Sequence, residues 1–206
     1  MVNSFDTRSK ILCIANDLFG RNGFDGVSIR DIAQAADVNV ASINYHFTNK
    51  NKLFQEVFLA SHAWLENEIA QFAKNPEITV SELTWSTFNL FLDNGPMLLN
   101  TFRIFLSDQL SIPEELHEEH QTDGPPGGAT FLRVITQELG DHIPLERRMW
   151  AVRSIFCHIF HLGMVVNTAV TRKGTCMHQE WMEREKLISD TKELVEAITT
   201  LLRSKY

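Results

Sequence analysis

Cysteine is scarce. Cys13, Cys157 and Cys176 are odd in number and scattered, which argues against a disulfide framework and fits a reduced, cytoplasmic setting. Proline is also sparse, six in 206 residues, and Pro96, Pro113 and Pro144 stand where a helix tolerates them, at its start. None of the ten glycines builds a phosphate-binding loop. G-x-S-x-G and H-E-x-x-H are missing too, so the chain carries no signature of an enzyme. No apolar run of membrane-spanning length is expected, because the segment 155–170 is interrupted by His158, His161 and Asn167; no signal peptide, internal repeat or low-complexity tract is recognised either. Strand alternation is lacking after residue 50, which leaves an all-α chain of about nine or ten helices.

Positive charge is in deficit, with a net charge of −7, and it is unevenly placed. Residues 1–55 hold six Lys and Arg against five Asp, whereas the remainder holds 13 against 21. A nearly neutral head therefore precedes an acidic body. Such a body disfavours loose wrapping by a polyanion, and one head alone would hold DNA weakly.

What is present is concentrated in residues 28–50, SIRDIAQAADVNVASINYHFTNK. Ser28 and Asp31 form a capping-box-like start. Ile29, Ile32, Ala33 and Ala36 recur at helical spacing. Asp37, Val38 and Asn39 then break the helix, with Val38 as an apolar plug and Asn39 as N-cap of a second helix over 40–46. On that helix Ile43 and Phe47 face inward, while Ala41, Ser42 and Tyr45 face out, flanked by Asn44 and His46. Upstream, residues 6–22 form an amphipathic helix with Ile11, Ile14, Ala15, Leu18 and Phe19 on one stripe, ended at Gly23. Phe24 and Val27 close the small core. Two short helices about a tight turn, braced by a third, form a helix-turn-helix whose second helix fits the major groove.

The run FGRNGFDGVSIRDIAQAADVNVASINYHFTNKNKLF resembles the N-terminal domain of the TetR family of transcriptional regulators, over residues 8 to about 58. The elements that carry it are the Phe19 and Gly23-Phe24 helix end, Ser28-Ile29-Arg30 with Ile32-Ala33, the Tyr45-His46-Phe47 run, and Lys50. The sequence departs from the family at Asp37, where Gly is usual in the turn, and at Asn44, often a Tyr. Matching positions to the family pattern places Arg30, Val40, Ala41 and Asn44 at base edges. Arg suits guanine, Asn adenine, and the small apolar pair a thymine methyl. Ser28, Ser42, Tyr45, His46 and Lys50 fall at phosphates, with Asn39 joining them from the turn. Lys50 opens the next helix behind Thr48, the expected N-cap, where a helix N-terminus adds affinity for phosphate.

The expected division is a DNA-binding domain over 1–50 and a helical ligand-binding and dimerisation domain over 51–206. Helices are expected at 50–74, 80–93 (capped by Thr79 or Ser81), 96–110, 113–120, 130–140, 144–172 and 178–204, with a loop at 121–128. No Gly- or Pro-rich linker follows residue 50, so one helix touches head and body. The last two helices carry apolar stripes, Trp150 to Val165 on one and Leu187 to Leu202 on the other. They serve either as monomer core or as a homodimer's four-helix bundle; the resemblance implies the dimer and a near-palindromic operator. It also implies a ligand cavity after residue 75. The residues expected to line it for a small apolar or aromatic effector are Trp85, Phe88, Phe102, Phe105, Phe131, Phe156, His158 and His161, with Phe91 and Phe160 nearby, though aromatic residues at helical spacing serve core more often than pocket. Two histidine pairs, His158 with His161 and His117 with His120, have i,i+3 spacing but not the repeated spacing of a zinc motif, so no metal or cofactor is expected. The implied function is a ligand-responsive repressor. The alternative is a ligand-binding or protein-interaction module whose head no longer reads DNA.

Overall fold

The computed structural model describes residues 7–108, 125–168 and 183–206. Among the described residues the chain is all helix, without strands, in nine segments. They are α1 (Thr7–Asn22), α2 (Ile29–Ala35), α3 (Val40–Phe47), α4 (Lys50–Phe72), α5 (Val80–Asp93), α6 (Gly95–Phe105), α7 (Gly128–Leu139), α8 (Leu145–Val166) and α9 (Arg184–Lys205). The expected helix over 113–120 lies outside the described residues, as does the start of the one expected from residue 178.

Contacts divide the chain into two compact units. One comprises Met1–Ala63 and Pro96–Gln121, the other Trp64–Gly95 and Thr122–Tyr206. Helix α4 supplies its first part to the former and its last part to the latter.

In the first unit, α1, α2 and α3 pack on one another around Ile11, Ala15, Phe19, Ile32, Ala36, Ile43 and Phe47, with Leu53, Phe54 and Val57 from α4 and Ile104 from α6 completing the core. These are the positions that the 3.6-residue period marks on α1, α2 and α3. Phe19, Phe24 and Phe54 form an aromatic trio, with Phe54 edge-on to the other two at 5.0 Å. Gly23, at φ 74, donates its N–H to the Phe19 carbonyl at 2.9 Å and stops α1 in the left-handed conformation that glycine adopts without steric cost.

Helix α6 crosses α1 through contacts that the sequence pattern does not announce. Asn16 is buried and donates to the Ser61 and Thr101 hydroxyls at 3.3 and 2.9 Å. Asn100 donates to Asp17 at 3.3 Å, and Arg103 to the Gly20 carbonyl at 3.4 Å. A Cβ on Gly20 would lie 2.2 Å from that of Asn100, so only glycine permits this approach.

In the second unit, α5 packs on α7, α8 and α9. Its cap is Thr79, in a full capping box with Glu82, which settles the choice between Thr79 and Ser81. Glu138 of α7 accepts from the Val80 N–H at 2.6 Å and from Arg203 of α9 at 2.7 Å, so one carboxylate pins two helix ends. Helix α8 departs from expectation twice. It ends at Val166 with Asn167 as C-cap, short of residue 172: the Asn167 side chain donates to the Gly163 carbonyl at 2.8 Å and the Thr168 hydroxyl to Val165 at 2.9 Å, so polar side chains close the helix where the sequence still looks apolar. It is also, by length and composition, apolar enough to cross a membrane, against the expectation of no such run. Ala151, Val152, Ile155, Phe156, Ile159 and Gly163 are buried along it, and a buried core helix makes the same demand on composition.

Helix α4 stops at Phe72 and α6 at Phe105, short of the expected residues 74 and 110. Of the loop expected over 121–128, residues 121–124 lie outside the described residues, and Gly128 belongs to α7, which begins there behind Gly127 at φ 79.

Candidate nucleic-acid interface

The turn between α2 and α3 is built from backbone hydrogen bonds. The Asp37 and Val38 N–H groups donate to the Gln34 and Ala33 carbonyls at 3.2 and 3.0 Å, the two bonds of a Schellman motif. That motif needs a left-handed residue, and Asp37 supplies it at φ 50; aspartate tolerates the region better than most side chains. Val38 packs on the core as the apolar residue such a motif buries.

Both short helices are capped as their sequences imply. Ser28 accepts from the Asp31 N–H at 3.1 Å, and the Ser28 N–H donates to the Asp31 carboxylate at 2.7 Å. Hydrogen bonding by the Ser28 side chain, and then by its backbone, holds the Asp31 carboxyl below its ordinary value. Asn39 Oδ1 accepts from the Ser42 N–H at 2.6 Å and from the Ser42 hydroxyl at 2.9 Å. The N–H bond fixes which end of the amide faces the helix. Asn39 therefore turns its Nδ2 donors outward, the polarity that a phosphate oxygen accepts, while the Ser42 hydroxyl hydrogen is spent on the cap.

On α3, Ile43 and Phe47 are each 1% exposed, and the opposite face is open. Tyr45 is 86% exposed and Val40 37%; Ala41 and Asn44 are exposed as well, with Ser42 and His46 half-buried. Tyr45 meets the His46 ring edge-on at 5.1 Å. Ser28, Arg30 and Asn39 are exposed at the neighbouring helix starts. An exposed tyrosine on a helix whose other face is core has no packing role there, and the small residues beside it leave room for base edges.

The N-cap of α4 is a correction. Thr48 is not that cap; it closes α3 at φ 48, its N–H on the Asn44 carbonyl. Asn49 does the capping, accepting from the Lys52 N–H at 2.9 Å. Thr48 and Asn49 both carry side chains that can cap, and the turn geometry selects the second. Lys50 then sits in the first turn with its Nζ 4.0 Å from the Phe24 ring centroid. No acidic residue occupies that turn, so lysine charge and helix dipole are positive together, an arrangement that an anion relieves. Beside it, Arg8 and Lys52 share Glu56. The i,i+4 pair of Lys52 and Glu56 is legible in the sequence; the pair of Arg8 and Glu56 spans 48 positions and is not.

The residues expected to meet a ligand are not gathered in one unit. Phe102 and Phe105 belong to the first, where Phe105 stacks on Phe58 at 5.7 Å and is itself exposed. Trp85, Phe88, Phe131, Phe156, His158 and His161 belong to the second. There Phe88, Phe131 and Phe156 are buried, Trp85 and His158 half-buried, and His161 exposed. Phe91 meets Phe156 and Phe160 edge-on at 5.7 and 5.9 Å. Sequence reasoning missed Thr87, which is fully buried with its hydroxyl unpaired, whereas Thr84 and Thr191 return theirs to a carbonyl one turn back.

His158 lies 3.3 Å from the Thr191 hydroxyl, whose hydrogen is already given to Leu187. The imidazole Nε2 therefore carries a proton and donates to Thr191. Burial is the main cause holding the His158 pKa below 6.5; Asp190 opposes it and His161 adds to it. A histidine with a depressed folded pKa contributes stability that is full above its unfolded value and lost as pH falls through the folded one. Stability should thus decline as pH drops below 6.5, and His158→Gln should flatten that part of a stability-against-pH curve. An unchanged curve in the variant would remove His158 as the cause.

Comparison with known proteins bears on the first unit above all. Residues 11–57 match the family described as bacterial regulatory proteins, tetR family. The chain is 47% identical over 51 residues to a Bacillus subtilis protein named "Probable HTH-type transcriptional regulator YttP", a match covering 25% of each chain. It is 27% identical over 86 residues to IcaR of Staphylococcus aureus strain Newman, the negative transcriptional regulator of the biofilm operon icaADBC, covering 42% of this chain and 46% of that one. It thus spans about a quarter to a half of the curated relatives it matches. Both relatives are named as transcriptional regulators. The fold extends further: FadR from Bacillus subtilis, solved in complex with stearoyl-CoA, superposes with a TM-score of 0.65 at 14% identity, over 93% of this chain and 97% of that chain.

Proposed function

We propose that this chain, a member by its residues 11–57 of the tetR family of bacterial regulatory proteins, is a repressor that binds a near-palindromic operator as a homodimer and leaves it when a small apolar or aromatic molecule binds. The observation that carries the DNA-reading part is the face of α3 opposite Ile43 and Phe47, where Tyr45 stands almost wholly in solvent. In this reading Arg30, Val40, Ala41 and Asn44 meet base edges. Ser28, Asn39, Tyr45, His46 and Lys50 meet backbone, and Ser42 joins them by turning its hydroxyl from Asn39 to phosphate. Residues 1–50 do the reading, in the cytoplasm, and residues 51–206 hold the dimer and effector surfaces.

Repression is supported by the negative regulator among the relatives. An apolar effector is supported by the stearoyl-CoA that FadR holds and by the aromatic interior of the second unit, with Thr87 as a buried polar point within it. The effector acts only if it binds the DNA-released state more tightly than the DNA-bound one. Helix α4, which contributes to both units, is the element through which that preference reaches the head. Two helices per subunit, α8 and α9, form the dimer, and the heads then meet half-sites about 34–36 Å apart or a stretched version of that spacing.

Selection of duplex from a random pool tests the reading directly. A palindrome is the expected product. Lys50→Ala should weaken binding to all sequences and lower the salt slope by about 0.9 for each head, about 1.8 for the dimer. Asn44→Ala should relax preference at one position, at a cost of about 1–3 kcal/mol for the favoured base. A pool from which the purified protein selects nothing would favour the module that no longer reads DNA.

A further inference from the structure

Arg8, Lys52 and Glu56 form an ion cluster beside the start of α4. Arg8 Nη2 lies 2.6 Å from Glu56 Oε2, and Lys52 Nζ lies 3.2 Å from Oε1. The Arg8 guanidinium also stands 5.4 Å from the ring centroid of Phe47, the last residue of the recognition helix. The cluster is thus bounded by the end of α3 and the first turns of α4, where Lys50 awaits phosphate. The side chains of Arg8 and Lys52 are 41% and 43% exposed, and that of Glu56 23%. Both cations have an open side, and the acid is the more enclosed partner. Exposed pairs of this kind contribute little to folding, but the carboxylate also screens both cations from a passing anion. Of three cations gathered here, two spend their charge on one carboxylate.

We propose that Glu56 sets the DNA affinity of the head by withholding Arg8 and Lys52 from phosphate, an inference that rests on the DNA-reading function. A phosphate approaching this rim must compete with a carboxylate already seated between the two cations. Among these three described residues, Lys50, held over the Phe24 ring, is the one that does not pair with Glu56. The device is sequence-blind, because phosphate contacts carry no direct base information. It lowers affinity for operator and random duplex by the same factor. Low residual affinity for random DNA lets such a head leave wrong sites quickly.

The test is Glu56→Gln in the full chain, with a selected palindrome and a random duplex titrated across about 50–200 mM salt. The variant should bind both duplexes about tenfold more tightly at the upper end of that range, with a salt slope steeper by about one to two units for each of the dimer's two heads, since each further phosphate neutralised adds about 0.9. The ratio of the two affinities should not move. Adding Lys52→Gln to the same chain should return about one unit of slope per head. Equal or weaker binding by a Glu56→Gln chain that melts like its parent would overturn the proposal, since Glu56 would then orient the cations for DNA. If Glu56→Gln loses its melting transition, Arg8→Gln and Lys52→Gln decide instead. Each removes a cation already spent on Glu56, and each should cost at most about twofold, against about tenfold for Lys50→Ala. A loss as large as that of Lys50→Ala would overturn it equally. Failure of the parent chain to bind any duplex at low salt would remove the DNA-reading function, and this inference with it. Tight parent binding with an unaltered slope in Glu56→Gln removes this inference alone.

Discussion

Gly20→Ala should lower the melting temperature by about 5–10 °C, the equivalent of about 2–3 kcal/mol. The direction is the reverse of what helix propensity implies, since Ala is favoured over Gly inside a helix by about 1 kcal/mol. Packing decides. A methyl group at this position would lie 2.2 Å from Asn100 Cβ and 2.6 Å from its Cα. The second of these is backbone and has no rotamer to give. Helices α1 and α6 would have to separate, and the contacts at their crossing would lengthen together: Asn100 to Asp17 at 3.3 Å, Arg103 to the Gly20 carbonyl at 3.4 Å, Asn16 to Thr101 at 2.9 Å. Asn16 is buried, and a buried amide that loses its partner costs about 1–3 kcal/mol. A thermal melt of the full chain reads the effect. An Ala variant that melts at or above the parent temperature would mean that the crossing relaxes freely and that helix propensity governs this position.

This crossing also marks where the sequence stops being informative. The head was legible because each of its features is local. Capping pairs three residues apart, Ser28 with Asp31 and Asn39 with Ser42, are where expected. The apolar period brings Ile32, Ile43 and Phe47 inside, and Asp37 takes the left-handed turn that its position demanded. Short-range hydrogen bonding and periodicity are properties of a window, so a window suffices to find them. The α1–α6 crossing joins residues more than eighty positions apart, and nothing in either segment announces its partner. Gly20 reads only as a small residue between Phe19 and Arg21 until the contact with Asn100 gives it a reason. Thr48 against Asn49 is a different failure. Both can cap a helix, and only the turn geometry selects Asn49. The aromatic body shows a third limit. Phe88 and Phe131 at helical spacing fit core and cavity equally well, and their complete burial is a property of packing partners from other helices. The α3 face is different, because the period of one helix is enough to put Ile43 and Phe47 inside and Tyr45 outside.

Phe54→Ala should have the larger effect of the two, about 3–5 kcal/mol, or about 10–15 °C in melting temperature. Phe54 is 1% exposed and lies at the centre of the head's aromatic trio, its ring edge-on at 5.0 Å to both Phe19 and Phe24. Removing it forfeits the burial of a whole ring and leaves a cavity between α1, the turn after it, and α4, which short helices cannot collapse to fill without losing their caps. The functional consequence follows from the next contact outward. Phe24, which loses one of its two ring neighbours, is the platform over which Lys50 stands at 4.0 Å. A cation over an aromatic face is attracted by the ring quadrupole, worth about 0.5–1 kcal/mol at an exposed site, and that attraction keeps the flexible ammonium in one place. At a temperature where the variant remains folded, its DNA affinity should therefore fall for all sequences alike, the pattern of a weakened phosphate contact and not of altered base reading. Phe54→Leu, which refills part of the volume, should recover most of both losses. If Phe54→Ala destabilised the chain yet left affinity for every duplex unchanged, Lys50 would owe its position to its own helix turn alone. A shift in base preference without loss of affinity for random duplex would instead mean that the trio supports α3 and not the start of α4.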